Sequence, residues 1–216
     1  RAVLLKGSGN AFCAGADIAE MRAAGAAAPE QNVADARRFV ALLDRLERMP
    51  QPTIAVVNGA AYGGAIGLIS ACDIAIAGTT ARFSLSEVRL GLIPAMISPY
   101  VVRAIGARQA RRYMLSGEVT DAATAERIGL LHEVVSDAAL PGAVEKLVET
   151  LLAGGPCAQV EIKSLLRHVS GRTATDDAAL RGELAQWIAR IRGSDEGREG
   201  LSAFLEKRQA KWRDPG

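Results

Sequence analysis

Cysteine and histidine are scarce in this chain. Cys13, Cys72 and Cys157 are scattered without CxxC spacing. That argues against a disulfide framework or a metal site, and it fits a reducing cytoplasm. His132 has no serine or cysteine nucleophile motif beside it and reads as structural. His168, on an amphipathic stretch, reads as a surface residue. Excess charge is lacking too: 26 Lys and Arg against 24 Asp and Glu leave a net +2. The signs are interspersed, so nothing argues for a nucleic-acid partner. No stretch reads as a signal peptide or a membrane span.

What is present suits a globular enzyme. Hydrophobic residues make up 49% and charged residues 23% of 216 residues, enough for one well-buried domain with a helical appendage. Short apolar runs predict strands at Ala2–Leu5, Thr53–Val57, Ile74–Ala77 and Leu131–Val135. Between them, Ala19–Asn32 reads as a helix breaking into a mobile loop at Gly25 and Pro29. Val33–Met49 is an amphipathic helix stopped by Pro50 and Pro52. Ile97–Ile105 and Ala107–Leu115 are helices joined at Gly106. Ala122–Arg127 is a short helix with its N-cap at Thr120-Asp121. The rhythm implies an α/β fold with a mostly parallel sheet, residues 1–139. From about Leu140 the composition turns helical: Leu140–Leu152, Cys157–Val169, Leu180–Ile191 and Arg198–Ala210. Trp187, Leu201 and Phe204 lie on apolar stripes that need a partner surface.

The chain is organised around Asn58–Asp73, NGAAYGGAIGLISACD. A buried strand, Thr53–Val57, leads in. Gly59 breaks it, Gly63-Gly64 form a turn, and a helical pattern starts at Ala65. Adjacent glycines let the backbone approach a ligand closely. N–H groups at a helix start favour negative charge, so the turn suits a carbonyl oxygen becoming an oxyanion. On this segment alone, a tight corner without a ligand is the simpler reading. A second stretch, Phe12–Ile18 (FCAGADI), shifts the balance. It also ends a strand in a small-residue turn before a helix, and two such turns can each give one N–H to the same oxygen. Gly7 and Gly9 do not continue into a dinucleotide fingerprint, since Phe12 stands where the third glycine belongs.

FCAGADI, NGAAYGGAIGL with CDIAIA, FSLSEVRLGLIP and EGLSAFLEKR occur in the order and spacing of the crotonase (enoyl-CoA hydratase/isomerase) superfamily. The chain resembles that superfamily over essentially its whole length. SEVRLGLIPAMISPYVVRAIG makes it look closest to the 3-methylglutaconyl-CoA hydratase-like branch. The resemblance implies a crotonase-like ββα spiral core with a C-terminal α-helical trimerisation region. It implies a homo-trimer, or a hexamer made as a dimer of trimers. It implies an acyl-CoA thioester held between the N–H groups of Ala16 and Gly64, with coenzyme A as part of the substrate and no separate cofactor or metal. Ala14, Gly15, Asp17, Ile18, Gly63, Gly67, Pro94, Phe204 and Lys207 would line the acyl-CoA site. Family members usually carry several dozen residues before the point where this chain opens, including a first pair of strands and an RxALN-like segment that touches CoA.

Glu87 lies between Leu85 and Val88, close before Gly91 and Pro94. On its residues alone it reads as a glutamate paired with Arg89 or exposed in a loop. With the resemblance it becomes the catalytic carboxylate, its pKa raised by desolvation, handling the proton at Cα of the thioester. A second glutamate of the two-acid hydratases falls at Gly67, which carries no acid. The resemblance implies an acyl-CoA hydratase/lyase on a branched or carboxylated enoyl-CoA. It leaves open a Δ3-Δ2 enoyl-CoA isomerase using Glu87 alone and a non-catalytic CoA-binding scaffold.

Overall fold

A computed structural model describes residues 1–171 and 178–213. The chain parts into two compact units: Val3–Lys146, and Arg1–Ala2 with Leu147 onward. In chain order the elements are β1 (Val3–Lys6), β2 (Ala11–Cys13), α1 (Ile18–Ala26), α2 (Pro29–Arg48), β3 (Thr53–Val57), β4 (Ala60–Tyr62) and α3 (Gly64–Ala71). There follow β5 (Ile74–Gly78), β6 (Arg82–Ser84), a 3₁₀ turn (Ser86–Leu90), α4 (Ser98–Ser116), β7 (Thr120–Asp121), α5 (Ala122–Arg127) and β8 (Glu133–Val135). Helices α6 (Leu140–Ala153), α7 (Pro156–Val169), α8 (Ala178–Arg192) and α9 (Asp195–Leu205) follow, and a 3₁₀ turn (Lys211–Arg213) completes the described chain.

The first unit is built on two four-stranded sheets. One has the order β1-β3-β5-β8, all parallel. The other has the order β2-β4-β6-β7, parallel except for β7. The chain deposits one strand in each sheet, crosses back through helices and repeats, which is the crotonase-like ββα spiral. β3 is buried along its whole length. A strand covered on both faces carries a continuous β-branched run rather than an alternating one. At its start, Thr53 N–H and Oγ1 both donate to Asp73 Oδ2 at 2.8 and 2.9 Å, closing the β3-α3-β5 unit. Leu43, Val57, Ala61, Ile66, Ile69, Phe83, Ile97 and Val101 belong to one core cluster.

Gly59 breaks the strand as expected: the chain bends there between β3 and β4, which lie in different sheets, and a Cβ at Gly59 would run into the Asn10 carbonyl. Asn58 fastens the crossing: its Oδ1 accepts from Gly7 N–H at 3.2 Å and its Nδ2 donates to Gly9 O at 2.7 Å. Two expectations need correction. Ala19–Asn32 is not a long loop, because Pro29 opens α2 instead of breaking a helix. At the first helical position the missing proline N–H has no intrahelical partner to lose. Finally, α9 stops at Leu205 rather than Ala210, and Lys207 takes a left-handed backbone with φ 55°.

Other expectations match. α4 bends at Gly106, where φ is 73°, and Asp121 Oδ1 caps α5 by accepting from Thr124 N–H at 2.8 Å. His132 is tied into the sheet, its Nδ1 accepting from Ala75 N–H at 3.1 Å. In the second unit Trp187 Nε1 donates to Glu161 Oε2 at 2.7 Å, and Arg190 grips the same carboxylate with two bonds of 3.0 Å. His168 Nε2 meets Glu183 Oε2 at 2.6 Å. No described helix is long and apolar enough to cross a membrane.

Candidate active site

The second sheet assembles the site. Its three parallel strands pair Cys13 with Ala61, and Tyr62 with Ser84. Parallel strands end on the same edge, so the residues that follow β2, β4 and β6 emerge side by side. These are Ala14–Asp17, Gly63-Gly64 and Ser86-Glu87. The first two turns touch: a Cβ added at Gly15, where φ is 104°, would stand 3.3 Å from Tyr62 O. Asp17 then caps α1 by accepting from Ala19 N–H at 2.7 Å and Glu20 N–H at 3.3 Å. Among the described residues Ala16 N–H has no acceptor, and Ala16 is exposed.

The glycine pair divides its work. Gly63 holds φ 57° and ψ −122°, a conformation that L side chains rarely adopt. Its N–H is spent on Ser84 O at 2.9 Å. Gly64 opens α3, where the first N–H groups have no intrahelical acceptor. Its neighbour Ala65 is fully buried, whereas Gly64 is only half-buried. Gly64 is thus the donor of this turn that can meet a ligand, at the end of a helix that favours negative charge.

Glu87 stands against the same turn. A Cβ on Gly63 would lie 3.4 Å from Glu87 Oε1. Oε2 is buried and finds no hydrogen-bond partner among the described residues. Burial pushes the carboxyl up from its ordinary value, offset in part by a backbone hydrogen bond at Glu87 itself. The pairing with Arg89 does not form: Arg89 lies beside Gly117 instead. Leu92 N–H donates to Glu87 O at 3.0 Å, and Gly91 ends the 3₁₀ turn with φ 71°. A carboxyl group held there can exchange a proton with an atom next to an oxygen bound at Gly64.

Gly67 is occupied rather than open. A Cβ there would overlap Ile97 Cγ2 and stand 2.7 Å from Ile97 Cβ. Ile97 is only 2% exposed. The place where a second acid would sit is therefore filled by core. Sequence reasoning saw that the acid was missing but not what replaced it, since Ile97 belongs to another element. It also missed Phe39 of α2. The end of its ring abuts Gly64, with Cζ 3.2 Å from where a Cβ would be. Ile18 opens α1 and is 60% exposed, and Pro94 is half-buried beyond the 3₁₀ turn. Phe204 and Lys207 lie in the second unit, Phe204 81% exposed. A cavity of about 20 Å³ beside β6, touching Ser84, Tyr113 and Glu118, has room for one water and not for an acyl chain. Among the described residues no cluster of His, Cys, Asp and Glu could hold a metal ion.

The family model described as enoyl-CoA hydratase/isomerase matches residues 1–215. The chain belongs to the enoyl-CoA hydratase/isomerase family. Membership makes it an enzyme of acyl-CoA thioesters. The structure of an enoyl-CoA hydratase from Shewanella pealeana superposes with a TM-score of 0.92 at 46% identity, covering 98% of this chain and 78% of that one. The short-chain-enoyl-CoA hydratase of Clostridium acetobutylicum is 32% identical over 96% of this chain and 78% of its own. The mevalonyl-coenzyme A hydratase of Aspergillus fumigatus is 34% identical over 97% and 77%. These family likenesses span both units and include the ββα spiral.

Proposed function

We propose that the protein is an enoyl-CoA hydratase in which Glu87 alone carries protons. The Ala16 and Gly64 N–H groups hold the thioester oxygen and stabilise it as negative charge develops. Glu87, as carboxylate, takes a proton from water while the water oxygen bonds to C3 of the 2-enoyl group. The π pair of the C2=C3 bond forms a C1=C2 bond, and the carbonyl π pair moves onto the thioester oxygen as an enolate. Glu87 then returns the proton to C2, the enolate collapses, and the carboxylate is restored. The observation that carries this reading is the Glu87 carboxyl lodged against Gly63, one oxygen buried and unpartnered, beside the free N–H of Gly64.

A branched or carboxylated enoyl-CoA such as 3-methylglutaconyl-CoA is the proposed substrate. The relative named for mevalonyl-coenzyme A, a branched acyl group, is in keeping with it. Coenzyme A enters as part of that substrate, with no other cofactor. Ala14, Gly15, Asp17, Ile18, Gly63 and Pro94 are proposed to border it, with Phe204 and Lys207 contributing from the helical part. Trimers, or hexamers formed from them, would use the helices beyond Leu140, in the cytoplasm.

Ile97 in the second acid's place favours one other reading, Δ3-Δ2 isomerisation, which needs only one carboxylate. The two are separated by absorbance of the conjugated thioester. Loss from a 2-enoyl-CoA, abolished by Glu87→Gln, is the expected result. A gain from a 3-enoyl-CoA without that loss would replace hydration by isomerisation. Neither change, with thioester still bound, would overturn catalysis altogether.

A further inference from the structure

The two glycines of the turn face different walls. The bare side of Gly63 meets the Glu87 carboxylate, and the bare side of Gly64 meets the end of the Phe39 ring. Phe39 Cζ is the nearest atom, and Cε1 and Cε2 follow at 3.6 and 3.9 Å, so the ring points at Gly64 end-on. The ring is only half-buried, although it shares a helical stripe with fully buried Leu43. Phe39 packs against the core, and its ring tip lies against the residue that opens α3. We infer that Phe39 is a specificity-determining residue, which bars acyl groups with a substituent on C2. The inference rests on the reading that Gly64 N–H receives the thioester oxygen. Bound there, the carbonyl carbon and C2 lie within reach of the ring tip, while C2 must also face Glu87. An added methyl on C2 has an aromatic wall on one side and a carboxylate on the other. Unsubstituted C2 passes between them, and branching further along the acyl chain is unaffected.

The test is binding of two unreactive thioesters, butyryl-CoA and 2-methylbutyryl-CoA, measured by titration calorimetry. One methylene in an apolar pocket typically changes discrimination by about 10–200-fold. The protein should prefer butyryl-CoA by about tenfold or more, and Phe39→Ala should bring the two dissociation constants within about twofold. Phe39→Leu, which keeps more of the core contact and guards against failure to fold, should fall between. The kcat/KM ratio for the corresponding 2-enoyl-CoAs, crotonyl-CoA and 2-methylcrotonyl-CoA, should move in parallel. A ring that merely filled the core would lower stability and leave the ratio where it was. An unchanged ratio in both folded variants, or no preference in the parent protein, overturns the assignment of Phe39 and leaves the reading of Gly64 standing. Failure of the parent protein to bind butyryl-CoA removes both.

Discussion

Gly64 and Gly67 stand one turn apart on the same short helix, and each lacks a side chain for a different reason. At Gly64 the missing Cβ keeps Phe39 at its distance beside an N–H that α3 leaves unpaired. At Gly67 the missing Cβ is core space, taken by Ile97. On the proposed reading one glycine serves a ligand, whereas the other serves packing. In the sequence they look alike. The difference shows that the absent second acid is built into the fold: to recover it, the N-cap of α4 would have to give up a buried isoleucine.

Four changes sharpen or break that contrast. The largest effect belongs to the group facing the first glycine pair. General acid–base catalysis typically contributes ~10²–10⁴-fold. Glu87→Gln should lower turnover by that order while thioester affinity survives. Near-normal turnover would take Glu87 out of the mechanism. Next comes Gly64→Pro, which deletes the N–H at the one helical position where proline is welcome. Loss of one oxyanion donor costs roughly 10²–10³ in turnover. A folded variant with full activity would end the role of Gly64.

The third change tests the other glycine. Gly67→Ala should destabilise by about 1–3 kcal/mol, the usual cost of overpacking a core, even though alanine is the better helix former. Ile97→Ala, which removes the overlapping Cγ2, should cost less in the Gly67→Ala chain than on its own, compared in thermal melts. Additive losses would show that Ile97 is not what closes the site. By the same argument Gly67→Glu alone adds an acid that has no room. Only the pair Gly67→Glu/Ile97→Ala can present it near Glu87. As a reference, Gly182 lies in α8 with nothing near its missing Cβ. Gly182→Ala should stabilise by roughly 0.5–1 kcal/mol.

The smallest effect is the pH dependence at Glu87. Its pKa is raised by burial, so folding favours the neutral form. That contribution is fully present below the ordinary value of 4.5 and is lost as pH rises through the elevated folded value. Glu87→Gln should therefore melt at a higher temperature than the parent protein at neutral pH, with the gap closing below pH 4.5. A gap that widened on acidification would contradict the buried carboxylate.

Much of this was legible in the sequence. β3, the turn at Gly63-Gly64 and the kink at Gly106 follow from local composition. The second sheet was not, because three-residue strands such as Ala11–Cys13 and Arg82–Ser84 are too short to show a period. Glu87 was legible only through the family's motif. Its neighbours Leu85 and Val88 say nothing of Gly63, which is distant in the chain. Ile97 and Phe39 were invisible as partners of glycines for the same reason: the contact is tertiary, and a glycine records only that something comes close.

Asn58 carries a consequence for how the protein comes to exist. Its side chain reaches back about fifty residues to hold Gly7 and Gly9, while Gly59 presses on Asn10. The loop that leads into β2 has no partner until β3 is made, and β2 itself pairs only with β4. Contacts so far apart in sequence carry the loop-closure entropy that slows folding. The turn carrying Ala16 is therefore set in place late, when β4 arrives. A nascent chain that ends before Asn58 holds the Ala14–Asp17 turn in its sequence without the contacts that fix it.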